Sequence, residues 1–93
     1  MPAPPRPDYE IRFAPRAERA FLSLAVKVQR QLAPRIEALA KNPRPRGARK
    51  LVGEEDLYRL RVGEYRVLCM IRDRELLILV VAMGPRRDID RGL

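Results

Sequence analysis

The sequence has 93 residues, with 20 lysines and arginines against 12 aspartates and glutamates, for a net charge of +8. This length predicts one small domain with a single core, and the charge favours a polyanionic partner, namely nucleic acid, a ribonucleoprotein or an acidic protein. No apolar run approaches the ~20 residues of a membrane span, and the N-terminus lacks a signal-peptide core. The single cysteine, Cys69, allows no disulfide framework and predicts a cytoplasmic protein.

The residue types that are missing exclude several kinds of chemistry. The chain has no histidine, threonine or tryptophan, and Ser23 is its only serine. Nucleophilic schemes of the Ser-His-Asp or Cys-His kind are therefore excluded, as is zinc ligated by histidine or several cysteines. There is no glycine-rich phosphate loop. Any chemistry must use arginine, lysine, carboxylates or the three tyrosines, and we expect neither a cofactor nor a metal.

The chain begins with a proline-rich segment, residues 1–8, that we expect to be a flexible arm before a single domain spanning residues 9–91. The alternation in YEIRF predicts a first strand over residues 9–13. Ala14-Pro15 then predicts the start of a helix, because proline is tolerated in the first helical turn. Its apolar stripe consists of Ala17, Ala20, Phe21 and Leu24.

A second helix is predicted from about Val26 to Ala40, so that two adjacent helices form an αα-hairpin. Pro34 lies inside this stretch, which predicts either a kink or a helix that starts nearer Ala33. The apolar side chains expected to face inward are Val28, Leu32, Ile36 and Leu39 or Ala40.

A basic segment, KNPRPRGARK over Lys41–Lys50, follows the helices and is predicted to be a loop because it is rich in proline and glycine. It could be a solvated connector, or it could contact a nucleic-acid backbone, and its position before a basic strand favours the contact. The candidate contact residues are Arg44, Arg46, Arg49 and Lys50.

The stretch from Leu57 to Met83 is predicted to form the strands that organise the sheet. Gly63 suits the first central position of a two-residue hairpin turn, where φ must be positive. The resulting register pairs Val62 with Tyr65, Leu60 with Val67 and Tyr58 with Cys69. These apolar side chains share one face, so Arg59, Arg61 and Arg66 lie on the other, with Arg61 directly across from Arg66. Like charges paired in this way destabilise a sheet, which indicates an anion on that face; the alternative is a solvated face with ion pairs to Glu54–Asp56 or Glu64.

A second turn is predicted at Asp73-Arg74, followed by a strand over Leu76–Met83 that is apolar on both faces, as an interior strand would be. The predicted pairs are Ile71 with Leu76, Cys69 with Ile78 and Val67 with Val80. The arginine face is then partly apolar and needs to be covered by a C-terminal segment or a partner protein. Its apolar side chains are Leu68, Met70, Leu77 and Leu79.

The residues of these motifs resemble those of the RelE/ParE toxin superfamily, and the resemblance extends over about Tyr9–Arg91. The resemblance rests on Leu57–Val67 (LYRLRVGEYRV), on Lys50-Leu51-x-Gly53 before it and on Met83-Gly84-x-Arg86-Arg87-Asp88-Ile89 after it. It implies an α+β, RelE-like fold. The order is an N-terminal strand, an αα-hairpin and a three-stranded antiparallel meander, giving one sheet of about four strands packed on the helices.

The RelE branch of this superfamily consists of metal-independent endoribonucleases that cleave mRNA in the ribosomal A site, using the RNA 2′-hydroxyl as nucleophile. Carried over by motif, Arg59 and Arg61 neutralise the scissile region, Arg66 stabilises the transition state and Arg86 supports the leaving group. The family's C-terminal tyrosine, a proposed general base, is replaced by Asp90. The resemblance adds Arg87 to the candidates for RNA-backbone contact.

The resemblance also implies partners and leaves alternatives open. A RelB-like antitoxin is expected to form a hetero-oligomer with the chain by binding Leu68, Met70, Leu77 and Leu79, and the ribosome and mRNA are the expected targets. The alternatives are a non-enzymatic ParE-type inhibitor of DNA gyrase and a weakened member that binds only its antitoxin.

Overall fold

The structure, a computed structural model, describes residues 8–91 and the side chains of residues 8–89. Apart from Asp8, which is exposed, the predicted arm lies outside the described residues. The elements are β1 (Glu10–Phe13), α1 (Pro15–Ser23), α2 (Val26–Glu37), a 3-10 turn (Ala38–Ala40), β2 (Ala48–Lys50), β3 (Leu57–Val62), β4 (Tyr65–Arg72), a second 3-10 turn (Asp73–Glu75), β5 (Leu77–Pro85) and α3 (Arg86–Arg91). The α+β class is as predicted.

The two long helices form the predicted αα-hairpin, because only Leu24 and Ala25 separate them. The Gln29 side chain closes this junction: its Nε2 donates to the carbonyl oxygens of Phe21 and Leu24, each at 3.0 Å, and so satisfies the end of α1. The alternative of a helix starting near Ala33 is wrong. Helix α2 begins at Val26 and contains Pro34, since its buried residues hold it against the sheet.

The sheet has five strands in the order β1-β5-β4-β3-β2, with β1 parallel to β5 and every other neighbouring pair antiparallel. The prediction of about four strands missed β2, which lies in the stretch expected to be a loop. Ala48-Arg49-Lys50 has no apolar alternation, and it becomes a strand only by backbone pairing with β3. Gly47, at φ +97°, turns the chain into that pairing.

The predicted hairpin register is confirmed for β3 and β4, and Gly63 has φ +57°. The predicted register between β4 and β5 is wrong. Asp73–Glu75 forms a 3-10 turn and Leu76 takes φ +49°, so Ile71 pairs with Ile78, two residues beyond the predicted partner. A β-bulge adds one more residue, and Val67 pairs with Met83. A two-residue shift leaves each side chain on the same face, so the sequence pattern could not distinguish the two registers.

The core lies between the helices and one face of the sheet. Its buried residues are Ala17, Leu32, Ile36, Leu39, Leu60, Val62, Val67, Cys69, Ile71, Ile78, Val80 and Met83. Tyr58 and Tyr65 pack against this core, as the register predicted. No helix within residues 8–91 combines the length and the apolar character that a membrane crossing requires. The opposite face of the sheet, which we call the open face, carries the arginines.

Candidate active site: an arginine-lined cleft on the open face

The confirmed register places three arginines of the central hairpin on the open face. In β3, Arg59 and Arg61 alternate with the core residues Tyr58, Leu60 and Val62. Arg66 of β4 lies directly opposite Arg61. Sequence reasoning therefore located these side chains correctly, because the alternation of a hairpin is a local property.

These arginines share one cleft with three residues of the preceding basic segment. The cleft has a volume of about 340 Å³ and is lined by Arg46, Gly47, Arg49, Arg59, Arg61 and Arg66. Strand β2 positions Arg49 directly opposite Arg59. The Gly47 carbonyl accepts the Arg61 backbone N–H at 3.1 Å, which fixes this edge of the cleft. Five of the six residues that line this cleft are arginines, so the cleft attracts anions strongly.

Arg66 is the most deeply placed of the five. Its residue is only 8% exposed, and its Nη1 donates to the carbonyl oxygens of Gly63, at 2.9 Å, and Tyr65, at 3.0 Å. A guanidinium has five N–H donors in a rigid plane, so anchoring one nitrogen also orients the others. The hairpin turn thus holds Arg66 in a defined direction.

Helix α2 supports the hairpin from the opposite face of the sheet. The Nη2 atom of Arg35 donates to the Arg61 carbonyl at 3.3 Å. Gln31 reaches the turn, where its Nε2 lies 2.8 Å from the position that a Cβ would occupy on Gly63. Sequence reasoning missed both residues, because a polar residue on an exposed helix position carries no local signal of what it contacts.

Arg86 and Arg87 lie in a separate cleft of about 560 Å³, which they line with Glu64 and Pro85. The Arg86 backbone N–H donates to the Glu64 carbonyl at 2.7 Å, so the start of α3 is tied to the hairpin turn. Arg86 therefore lines a different cleft from the three hairpin arginines with which the motif grouped it, but its backbone is bonded to the same hairpin turn. Asp90 is part of α3, and its side chain lies outside the described residues.

Two residues predicted to contact RNA with the others do not line the arginine-lined cleft. Arg44 instead donates from Nη1 and Nη2 to the two carboxylate oxygens of Asp73, both at 3.0 Å, and its guanidinium lies 4.8 Å from the ring centre of Tyr58. The Tyr9 hydroxyl donates to the same carboxylate at 2.6 Å. Lys50 pairs with Tyr58, so alternation turns it away from the open face. The placement of Lys50 follows from the pairing of β2, which the sequence did not reveal.

The Arg44 contacts also change the acid–base properties of their neighbours. Hydrogen bonds from Arg44 and then from Tyr9 hold the pKa of the Asp73 carboxyl below its ordinary value. The hydrogen bond to Asp73 raises the pKa of the Tyr9 hydroxyl. In the core, burial raises the pKa of the Cys69 thiol to about 12, which makes it a poor nucleophile at neutral pH.

The apolar part of the open face is smaller than predicted. Leu68 is only 8% exposed and belongs to the buried residues, whereas Met70, Leu77 and Leu79 are half-buried. Helix α3 covers one end of this face, where the Ile89 side chain lies 3.6 Å from the position of a Cβ on Gly84. The expectation that a C-terminal segment covers part of the face is therefore correct for that end. Within residues 8–89, no three histidine, cysteine or acidic residues are grouped as metal ligands would be.

Comparison with known proteins identifies the family. A sequence model of the ParE toxins of type II toxin–antitoxin systems matches residues 11–90. The chain belongs to this toxin family. A candidate RelE-like toxin protein of Escherichia coli is 32% identical over 84 residues, which cover 88% of this chain and 87% of that protein. The predicted membership of the RelE/ParE superfamily is thereby confirmed.

Solved structures of RelE toxins share the fold of this ParE-family toxin. The RelE–RelB complex of Pyrococcus horikoshii matches with a TM-score of 0.75 and 28% identity, over 85% of this chain and 96% of the matched chain. The intact RelBE toxin–antitoxin complex of Escherichia coli matches with a TM-score of 0.71 and 28% identity, over 83% and 95% of the two chains. Both relatives are complexes of a toxin with its antitoxin.

Proposed function

We propose that this toxin is a metal-independent endoribonuclease of the RelE type, which cleaves mRNA in the ribosomal A site. The observation that carries the proposal is the convergence of five arginines on one cleft of about 340 Å³. Charge stabilisation and positioning are the main contributions that a protein makes to phosphoryl chemistry, and arginine provides both. The sequence contains no histidine, so such a site must work through these groups.

In the proposed reaction, the 2′-oxygen of the RNA attacks the neighbouring phosphorus, and the bond from phosphorus to the 5′-oxygen breaks. The products are a 2′,3′-cyclic phosphate and a free 5′-hydroxyl. Arg61 and Arg66 stabilise the negative charge that grows on the phosphate oxygens, with Arg66 held ready by the hairpin turn. Arg59 neutralises the adjoining backbone. Asp90 accepts the proton of the 2′-hydroxyl. Arg86 stabilises the negative charge on the leaving 5′-oxygen, which takes a proton from water to become the free 5′-hydroxyl.

We further propose that the toxin acts in the cytoplasm and forms a hetero-oligomer with a RelB-like antitoxin. Two similar toxins, each 28% identical, occur in complexes with RelB. The half-buried side chains Met70, Leu77 and Leu79 offer an apolar surface on the open face, and the net charge of +8 favours an acidic partner. Leu68 contributes little to such a surface, because it is already buried.

A second candidate function is inhibition of DNA gyrase by protein contact, without catalysis. Two observations favour it: the matching family model is that of ParE toxins, and Asp90 stands where RelE-type members have tyrosine. A carboxylate is a weaker base than the tyrosinate that it would replace.

Ribosomes carrying a defined mRNA test these functions directly, with new 5′ ends mapped by primer extension. The wild-type toxin should give discrete A-site cuts. Arg61→Ala and Arg66→Ala should each slow cleavage by about 100-fold or more, the usual cost of losing one donor to a developing oxyanion. Arg19→Ala, an exposed arginine of α1, is the control for net charge and should cleave normally.

Asp90→Asn then tests the proton acceptor and should slow cleavage without weakening ribosome binding. If the wild-type toxin leaves the mRNA intact and inhibits supercoiling by gyrase, the second function is established and the first is refuted.

A further inference from the structure

The backbone of Arg61 is held from two different elements. Arg61 and Arg66 form the second pair from the two-residue turn, so the backbone N–H and carbonyl of Arg61 point away from β4. The N–H donates to the Gly47 carbonyl at 3.1 Å. Strand β2 begins only at Ala48, and the Arg61 carbonyl accepts instead from α2, through the Nη2 atom of Arg35 at 3.3 Å.

Gln31, one helical turn before Arg35, contacts the hairpin turn. Residues four apart lie on the same side of a helix, and these two flank the buried stripe of Leu32 and Ile36. The Gln31 Nε2 lies 2.8 Å from the position of a Cβ on Gly63. The Gln31 amide therefore fills the space that a side chain at position 63 would occupy.

Gly63 is also the residue that orients Arg66. The Gly63 carbonyl oxygen accepts from the Nη1 atom of Arg66 at 2.9 Å, and the Tyr65 carbonyl accepts from the same nitrogen at 3.0 Å. Any displacement of the turn therefore moves two acceptors of the Arg66 guanidinium. One glycine connects α2, which contacts it through Gln31, to the most deeply buried arginine of the cleft.

The end of the hairpin needs support on one side. Strand β5 continues beside β4 as far as Tyr65, whereas β2 pairs with β3 only as far as Leu60. Two strands paired only with each other are marginally stable. Gln31 and Arg35 contact the hairpin just beyond the last β2 pair, where a further strand would otherwise be needed.

We propose that Gln31 and Arg35 form a brace that positions Arg61 and Arg66 for the cleavage step. Both are positioning residues, which act through the backbone of β3 and its turn. The inference rests on the proposed function and adds two residues of α2 to it. A catalytic group misplaced by about 1 Å can cost about 100-fold in rate, so loss of the brace should slow the chemical step and leave ribosome binding intact.

The first measurement is single-turnover cleavage of mRNA on saturating ribosomes, together with the affinity for the ribosome. Gln31→Ala/Arg35→Ala should slow cleavage about tenfold or more and change the affinity by no more than about twofold. Arg35→Lys keeps an N–H donor for the Arg61 carbonyl and should cleave faster than Arg35→Ala. Arg30→Ala removes a positive charge from the exposed surface of the same helix and should cleave at the wild-type rate.

The second measurement needs no ribosome. NMR relaxation of the Arg66 Nε–Hε group, assigned with Arg66→Lys, reports how firmly the guanidinium is held. Its order parameter should approach about 0.85 in the wild type and fall below about 0.6 in the double variant. Gln31 and Arg35 are exposed, so the variants should fold, and circular dichroism at the temperature of the measurement checks this.

Three results would overturn the inference: an unchanged Arg66 order parameter in the double variant, an unchanged rate in the double variant of a toxin that cleaves, or an equal loss of rate with Arg30→Ala. The third would indicate an effect of charge alone. The brace and the proposed reaction fail separately. If the wild-type toxin leaves the mRNA intact but the double variant loses Arg66 order, the brace is supported and the reaction is refuted.

Discussion

Arg44 and Arg46 lie two residues apart in the basic segment, but the structure gives Arg44 a role in stability and Arg46 a place in the candidate binding site. Arg46 lines the arginine-lined cleft, whereas Arg44 is held by Asp73 and stacks on Tyr58. Through Tyr9, the same carboxylate connects the start of β1 to the turn between β4 and β5. We therefore predict that Arg44→Gln lowers the stability of the fold and leaves RNA binding unchanged, while Arg46→Gln does the opposite.

The size of the Arg44 effect follows from its contacts. The side chains of Arg44 and Asp73 are 41% and 55% exposed, so solvent screening limits even a two-point ion pair to less than about 1 kcal/mol. The cation–π contact with Tyr58 adds about 0.5–1 kcal/mol. Arg44→Gln should therefore lower the free energy of unfolding by about 0.5–2 kcal/mol, and each kcal/mol lowers the melting temperature of a domain of this size by roughly 4–8 °C.

Thermal unfolding followed by circular dichroism measures the stability, and the affinity for a short 2′-O-methyl oligoribonucleotide, whose methyl groups block cleavage, measures RNA binding. Arg46→Gln is the matched control, since it removes one positive charge two residues away. Its melting temperature should stay close to that of the wild type while its affinity falls. An unchanged melting temperature for Arg44→Gln, combined with a loss of affinity as large as that of Arg46→Gln, would refute the structural role of Arg44. It would support the prediction from the sequence that Arg44 contacts RNA.

Three further predictions test the fold around the site. Because the pKa of Asp73 is depressed in the folded state, its carboxylate stabilises the fold fully above the ordinary pKa of 3.8, and this contribution is lost below 3.8, as the pH falls through the depressed pKa of the folded state. Urea unfolding of Asp73→Asn at decreasing pH should show a smaller loss of stability in acid than the wild type, and equal losses would contradict the linkage. Gly63→Ala should lower the free energy of unfolding by about 1–2 kcal/mol because of the positive φ at this position, and by a further amount because the Gln31 side chain must move. Gly53 has φ +84° and a Cβ there would have nothing within 4 Å, so Gly53→Ala should lose only the stability that the positive φ costs. An equal loss of stability in the two variants would exclude a contribution from the Gln31 contact. The buried Cys69 thiol, with its pKa raised to about 12, should resist a thiol-specific disulfide reagent at pH 8 until denaturant unfolds the chain, and rapid reaction of the native protein would contradict its burial.

The central hairpin could be read from the sequence because its signals are local. The glycine at the turn fixes where the chain reverses, and strict alternation then decides which side chains share a face. The opposition of Arg61 and Arg66 followed directly, and the structure has the same pairing. The helices could also be predicted, because their apolar stripes recur at helical spacing.

Alternation cannot distinguish two strand registers that leave every side chain on the same face of the sheet. The predicted partner of Ile71 in β5 was two residues too early, and a shift of two residues in the register preserves the pattern of faces. The bulge beside Leu68 was also invisible, since an apolar run contains no mark of the extra residue.

The sequence by itself determined the family, the class of fold and the three arginines of the hairpin, because these depend on short motifs and on residues close together in the chain. Only the tertiary structure brought Arg46 and Arg49 to the cleft, engaged Arg44 with Asp73 and placed Arg86 in a neighbouring cleft. The physical reason is that β2 forms through backbone hydrogen bonds, which leave no signature in the side-chain pattern. The long side chain of an arginine then binds whichever group the folded chain places within its reach.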